Sequence, residues 1–105
     1  MHAVATPHYR TFDEFYTFYL SVHSSRWNRR FHFVGQVAGT LCLVLFLTTL
    51  NPWLLAASPI IGYGLSWIGH FGIEGNHPAT FSYPLYSFLG DVVMCKDILT
   101  GKIDW

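Results

Sequence analysis

The sequence predicts an all-α integral membrane protein: a two-span antiparallel transmembrane hairpin with amphipathic interfacial helices before and after it. Three observations carry this. Hydrophobic residues make up 51% of the 105-residue chain and charged residues only 11%. The stretch from Phe33 to Ile73 contains no Lys, Arg, Asp or Glu, whereas a helix buried in a water-soluble bundle keeps one solvated edge. The segments on either side repeat apolar residues at helical spacing but carry too many charges to cross a bilayer. The chain reads as a single membrane domain over 1–105.

The first interfacial helix is predicted over 11–24. It follows an irregular start that contains Pro7 and two histidines, His2 and His8, read as solvated. Thr11 to Glu14 is a T-x-x-E capping box, in which each side chain satisfies an amide left open at a helix start. Phe12, Phe15, Tyr16, Tyr19 and Leu20 then form an aromatic stripe, and its continuation turns His23 inward. Asp13, Glu14 and four arginines among the first thirty residues exclude a removable signal peptide.

The first span is predicted over 30–50. Its apolar run from Phe33 covers most of a hydrocarbon layer ~30 Å thick, at ~1.5 Å per residue. Asn51-Pro52 makes an uncharged turn, and Trp53 beside it suits a membrane interface. The second span, over 53–74, contains Pro59, where a kink is expected. A third segment, over 84–99, keeps helical spacing in Leu85, Phe88, Leu89, Val92 and Val93. Asp91, Lys96 and Asp97 hold it at the interface, with Pro84 in its first turn and Gly101 as its stop. Arg26, Arg29 and Arg30 flank the first span and Lys96 and Lys102 follow the second, which places both termini in the cytoplasm of a bacterial inner membrane or the endoplasmic reticulum.

Net charge is zero, which removes nucleic-acid binding, since that requires a dense cationic surface. Cys42 and Cys95 lack any metal or redox spacing and read as packing residues. Chemistry is concentrated in the histidines. His32 and His70 lie almost equally far from the Asn51-Pro52 turn, about 28 Å at ~1.5 Å per residue, so both sit near the cytoplasmic boundary. Gly35 and Gly39 in span one, and Gly62, Ser66 and His70 in span two, form small faces that let the helices approach. Such faces also suit a homo-oligomer. Gln36 lies beside the seam. His23 ends the first helix at the same level. Pro78 frees His77 from helical geometry and Gly75 lets the chain fold back. His23, His32, His70 and His77 are therefore candidate metal ligands and catalytic residues. Glu74 reads either as a further ligand or outer-sphere acceptor, or as a solvated charge at the helix boundary. Asp91 reads as the maker of a local hydrogen bond. Arg26, Arg29 and Arg30 read as topology determinants with carboxylate binding as a second task.

Two segments, His23-Ser-Ser-Arg-Trp-Asn-Arg-Arg-Phe-His32 and Gly69-His-Phe-Gly-Ile-Glu-Gly-Asn-His-Pro-Ala-Thr-Phe81, carry a resemblance, continued by Tyr83 to Met94. They resemble a small membrane-protein family that includes the yeast 2-hydroxy fatty acid dioxygenase of phytosphingosine breakdown. The resemblance implies Fe(II)-dependent α-oxidation, in which a long-chain 2-hydroxy fatty acid and O2 give the fatty acid one carbon shorter. R-CH(OH)-COOH plus O2 balances as R-COOH, CO2 and H2O, so no external reductant or 2-oxoacid is required. Two other readings remain: a metal- or haem-binding hairpin with His32 and His70 as axial ligands, and a purely structural hairpin with hydrogen-bonding histidines.

Overall fold

A computed structural model describes residues 9–78 and 82–105; His2 and His8 lie outside them. Every regular element among the described residues is helical: α1 (Phe12–Ser21), α2 (Arg26–Thr49), α3 (Pro52–Trp67), a π-helical segment (Ile68–Glu74) that continues α3, and α4 (Pro84–Leu99).

Local chemistry sets the element ends. Thr11 Oγ1 accepts the Glu14 amide at 3.2 Å, while the Glu14 carboxylate accepts the amide of Arg10 at 3.1 Å. The first helix stops at Ser21 rather than 24, because the Val22 and His23 amides close a tight last turn on Phe18, Tyr19 and Leu20 carbonyls. α2 begins at Arg26 rather than 30. Ser25 is extended there, and the Glu74 carboxylate accepts its amide and, at 3.1 Å, the Ser24 hydroxyl, placing negative charge at a helix N-terminus. At the hairpin tip Leu50 adopts a left-handed conformation with φ 56°, and Asn51 Oδ1 caps α3 by accepting the Trp53 amide at 3.1 Å. Pro84 opens α4, and Gly101 (φ 81°) follows its end.

α2 and α3 pack antiparallel through their small residues. A Cβ on Gly35 would stand 3.1 Å from the Gly62 carbonyl oxygen, and one on Gly39 would stand 3.0 Å from that of Ser58. Ser58 Oγ donates to the Gly39 carbonyl at 2.7 Å across the contact. The large side chains point away: Leu41, Leu47 and Ile60 are 56%, 66% and 70% exposed. α2 is the one described helix long and apolar enough to cross a membrane. The two-span hairpin expected from sequence is thus an antiparallel helix pair in which α2 alone meets that length. α3 has 16 residues because its hydrogen-bonding pattern changes to π at Ile68.

The other end is built differently. α1 and α4 enclose Phe15, Tyr19 and Met94, all 0% exposed, among partly buried Tyr9, Phe12, Tyr83 and Tyr86. Tyr16 donates to the buried Asp97 carboxylate at 2.7 Å.

Candidate metal centre

Three imidazoles meet where these two regions join. His23 comes from the turn after α1, His32 from the second turn of α2, and His70 from the π segment. All are buried. Their ring centroids are 4.4 Å (His23 to His32), 4.4 Å (His23 to His70) and 4.8 Å (His32 to His70) apart, and each pair is near perpendicular. One ligating nitrogen from each lies within 4.8 Å of the others, so the group could hold a metal ion.

The outer nitrogens identify which atoms face inward. His23 Nδ1 donates to the Tyr19 carbonyl at 2.6 Å, one helical turn back. His32 Nδ1 donates to Asp91 Oδ1 at 3.0 Å. His70 Nδ1 donates to Asn76 Oδ1 at 2.7 Å, and Asn76 Nδ2 in turn donates to the Val22 carbonyl at 3.0 Å, which fixes the amide's orientation. Each acceptor holds a proton on Nδ1, so each Nε2 keeps a lone pair. A carbonyl, a carboxylate and an amide behind three imidazoles is the outer sphere expected of metal-binding histidines. Nε2 of His23 and of His32 is buried without a hydrogen-bond partner among the described residues. An orphan of this kind costs about 1–3 kcal/mol, a cost that a bound cation removes. Burial pushes the His23 pKa down to about 2, helped by the neighbouring imidazoles, so its lone pair stays available throughout the physiological range.

The π segment explains the placement of His70. Its wider turn buries Gly69 and His70 side by side and brings the Gly75 and Asn76 amides onto the His70 carbonyl at 2.8 and 3.0 Å. A Cβ at Gly69 would collide with the Asn28 amide oxygen, so any side chain there would have to displace that buried amide. His77 is not brought into the group. The chain leaves the π segment through left-handed Gly75, Asn76 takes the place behind His70, and His77 is exposed with its ring 6.0 Å from that of Phe71.

The remaining candidates divide. Glu74 binds the Ser24-Ser25 turn and no imidazole among the described residues. Asp91 makes its hydrogen bonds over a long range, to His32 and to the Tyr19 hydroxyl, rather than locally. Arg29 Nη1 donates to the His23 and Ser24 carbonyls at 3.0 and 2.7 Å, tying down the turn that carries His23. Arg30 lies against the rings of Trp27 and Trp105, 4.6 and 4.9 Å from their centroids. Arg26 is exposed.

Sequence reasoning missed Asn76, Tyr19 and Asn28. Tyr19 stacks on His23 at 3.9 Å while its hydroxyl reaches Asp91. Asn28, one turn before His32, is 0% exposed, and neither its amide nitrogen nor its oxygen has a partner among the described residues. Its position four residues from a histidine on an otherwise cationic turn was the available signal.

Fold and site together define an all-helical protein with a buried three-histidine group suited to a metal ion. Within that class the chain belongs to the Mpo1-like family, described as 2-hydroxy-palmitic acid dioxygenase Mpo1-like, which matches residues 9–103. No curated protein and no solved structure matches the chain.

Proposed function

We propose that this protein is an integral membrane, Fe(II)-dependent dioxygenase that converts long-chain 2-hydroxy fatty acids and O2 into fatty acids one carbon shorter, with release of CO2. The observation that carries the metal part is the convergence of three buried imidazoles, each with its Nδ1 on its own acceptor. The family name carries the substrate class. Three neutral nitrogen donors leave coordination positions open, and the iron would supply there the electrophilic site and redox chemistry that O2 and a chelating 2-hydroxy acid need.

The chain's own residues would do the rest. Asp91, Asn76 and the Tyr19 carbonyl hold the rings in one tautomer and one orientation. The Asn28 amide, buried beside Gly69, is a ready donor to a carboxylate or hydroxyl oxygen of the guest. Arg29 Nη1 donates to two carbonyl oxygens and Arg30 lies against two indole rings, so of the three arginines expected to meet the carboxylate the exposed Arg26 is the one best placed to do so. His77 would act outside the ligand set.

Support for the membrane placement is the inverted distribution of polarity. His23, Asn28, His32, Ser66, His70, Ser87 and Asp97 are buried, while the leucines, valines and isoleucines of α2 and α3 are largely exposed. Water penalises that arrangement and lipid does not. In this reading α3 and the π segment together form the second span, and both termini are cytoplasmic. Axial haem ligation by His32 and His70 fits poorly: their centroids are 4.8 Å apart with His23 4.4 Å from both, which leaves no room for a flat macrocycle between them.

The test is conversion of a long-chain 2-hydroxy acid by anaerobically purified, Fe(II)-loaded protein on admission of O2, with products read by mass spectrometry. The acid one carbon shorter should form without added reductant, the plain fatty acid should not react, and His70→Ala should be inactive. Conversion that persists in His70→Ala would point to free iron, and a fully loaded protein that converts no 2-hydroxy acid would overturn the catalytic reading.

A further inference from the structure

A cleft of about 230 Å³ runs along the hairpin between Asp91 and Ser66 at one end and Leu43 and Pro59 at the other. Its inner end is formed by Asp91, the carboxylate that holds His32, and by Ser66, four residues before His70. Its outer end is formed by Leu43 and Pro59, well inside the charge-free stretch. The seam glycines create it. Gly35, Gly39 and Gly62 bring the helix backbones together as a floor, and Thr40, Tyr63 and Phe88 stand around it as walls. Ser58 presents no free donor there, because its hydroxyl is spent on the Gly39 carbonyl.

We infer that this cleft takes the acyl tail of the 2-hydroxy acid and measures its length. The inference rests on the dioxygenase reading for the identity of the head group, and on the structure for everything past it. A carboxylate and hydroxyl anchored at the histidines would leave the tail beginning beside Ser66 and Asp91, where the cleft begins. An inner end at Asp91, the carboxylate that His32 donates to, and increasing apolarity away from it select a single hydrocarbon chain over a polar guest. The eight residue steps from Gly35 to Leu43 rise about 12 Å, which matches about nine extended methylenes; carbons further out would pass Leu43 and Pro59 into lipid. Discrimination should therefore be strong among short and medium tails and weak among long ones.

The test is photolabelling under anaerobic conditions, so that no turnover is needed. Long-chain 2-hydroxy acids carrying a diazirine at the fourth or at the tenth carbon are bound to the metal-loaded protein in detergent, irradiated, and the labelled peptides mapped. The near probe should mark Gln36 and Ser66, and the far probe Leu43, Pro59 and Tyr63. Labelling spread over outward residues such as Leu47 and Ile60, with no dependence on diazirine position, would overturn the cleft. Thr40→Trp, which fills the cleft, should lower turnover of a sixteen-carbon substrate at least about tenfold relative to an eight-carbon one while metal content stays unchanged. Leu47→Trp, on the outer face, should alter neither. An ordered labelling pattern without turnover would sink the dioxygenase reading and leave the cleft standing. Turnover with disordered labelling, or with no change in chain-length preference in Thr40→Trp, would do the reverse. Should Thr40→Trp fail to fold, the labelling pattern of the unsubstituted protein decides alone.

Discussion

The hairpin and the α1/α4 end are held together by opposite chemistry. Between α2 and α3 the contact surface is glycine, serine and backbone, with Gly35 against Gly62 and Gly39 against Ser58, while the large apolar side chains face outward. Between α1 and α4 the contact surface is aromatic, with Phe15, Tyr19 and Met94 sealed inside and Asp13, Glu14 and Lys96 outside. The first pattern suits lipid, where apolar exteriors cost nothing and close backbone approach supplies the association. The second suits water, where removing aromatic area from solvent is the driving force. The histidine group lies on the border between them, drawing His23 from one region and His32 and His70 from the other.

That contrast can be broken experimentally, beginning with the site that joins the two regions. His32→Ala or His70→Ala should abolish tight metal retention, as each removes a donor held on a helix, and elemental analysis after gel filtration reads this directly. Equal metal content in the variants and the unsubstituted protein would dismantle the three-histidine centre. Phe15→Ala should cost about 3–5 kcal/mol of stability in a thermal or denaturant melt, as expected for a buried aromatic. Leu41→Ala, on the hairpin's outer face, should by contrast change stability by less than about 0.5 kcal/mol. If the two substitutions cost the same, the hairpin exterior is covered by protein and the contrast is wrong.

Asp91→Asn leaves a poorer partner for His32 and removes the charge that Tyr19 also binds, so metal affinity should fall about 10–100-fold without loss of the fold. Competition with a chelator measures it, and an unchanged affinity would confine Asp91 to packing. Gly39→Ala should cost about 1–3 kcal/mol because its methyl would press on the Ser58 carbonyl, whereas Gly64→Ala, which meets nothing within 4 Å, should be neutral or mildly stabilising. Similar behaviour of the two variants would show that the seam is looser than its geometry. Reporter fusions at Trp105 and at Asn51 should report opposite sides of the membrane, and matching signals would dispose of the two-span reading.

Much of the architecture was legible along the chain because it depends on local periodicity. The T-x-x-E cap, the Asn51-Pro52 turn, the Pro84 start and the small faces of α2 and α3 are one-dimensional signals with one-dimensional causes. The alignment of His32 with His70 could be anticipated because both are measured from the same tight turn at a constant rise. The position of His23 followed from the stripe of its own helix. Helix ends were less legible: α2 starts at Arg26 because Glu74 reaches Ser25, a contact 49 residues apart in sequence.

What only the tertiary structure decided is the surroundings of those rings. No periodicity announces that α3 becomes a π-helix at Ile68, yet that change lets Asn76 stand behind His70 and carries His77 away into the open. The partner of His32 is 59 residues away on α4, and Tyr19 reaches the same carboxylate from α1. Asn28 is marked as a candidate only by the packing of Gly69 on it and by amide atoms that have no partner among the described residues. Sequence by itself determined the helical segments, the hairpin turn and the common level of the three histidines, because hydropathy pattern and rise per residue act locally. Which nitrogen each histidine presents depended on acceptors brought from other helices, and contacts of that kind exist only after the chain has folded.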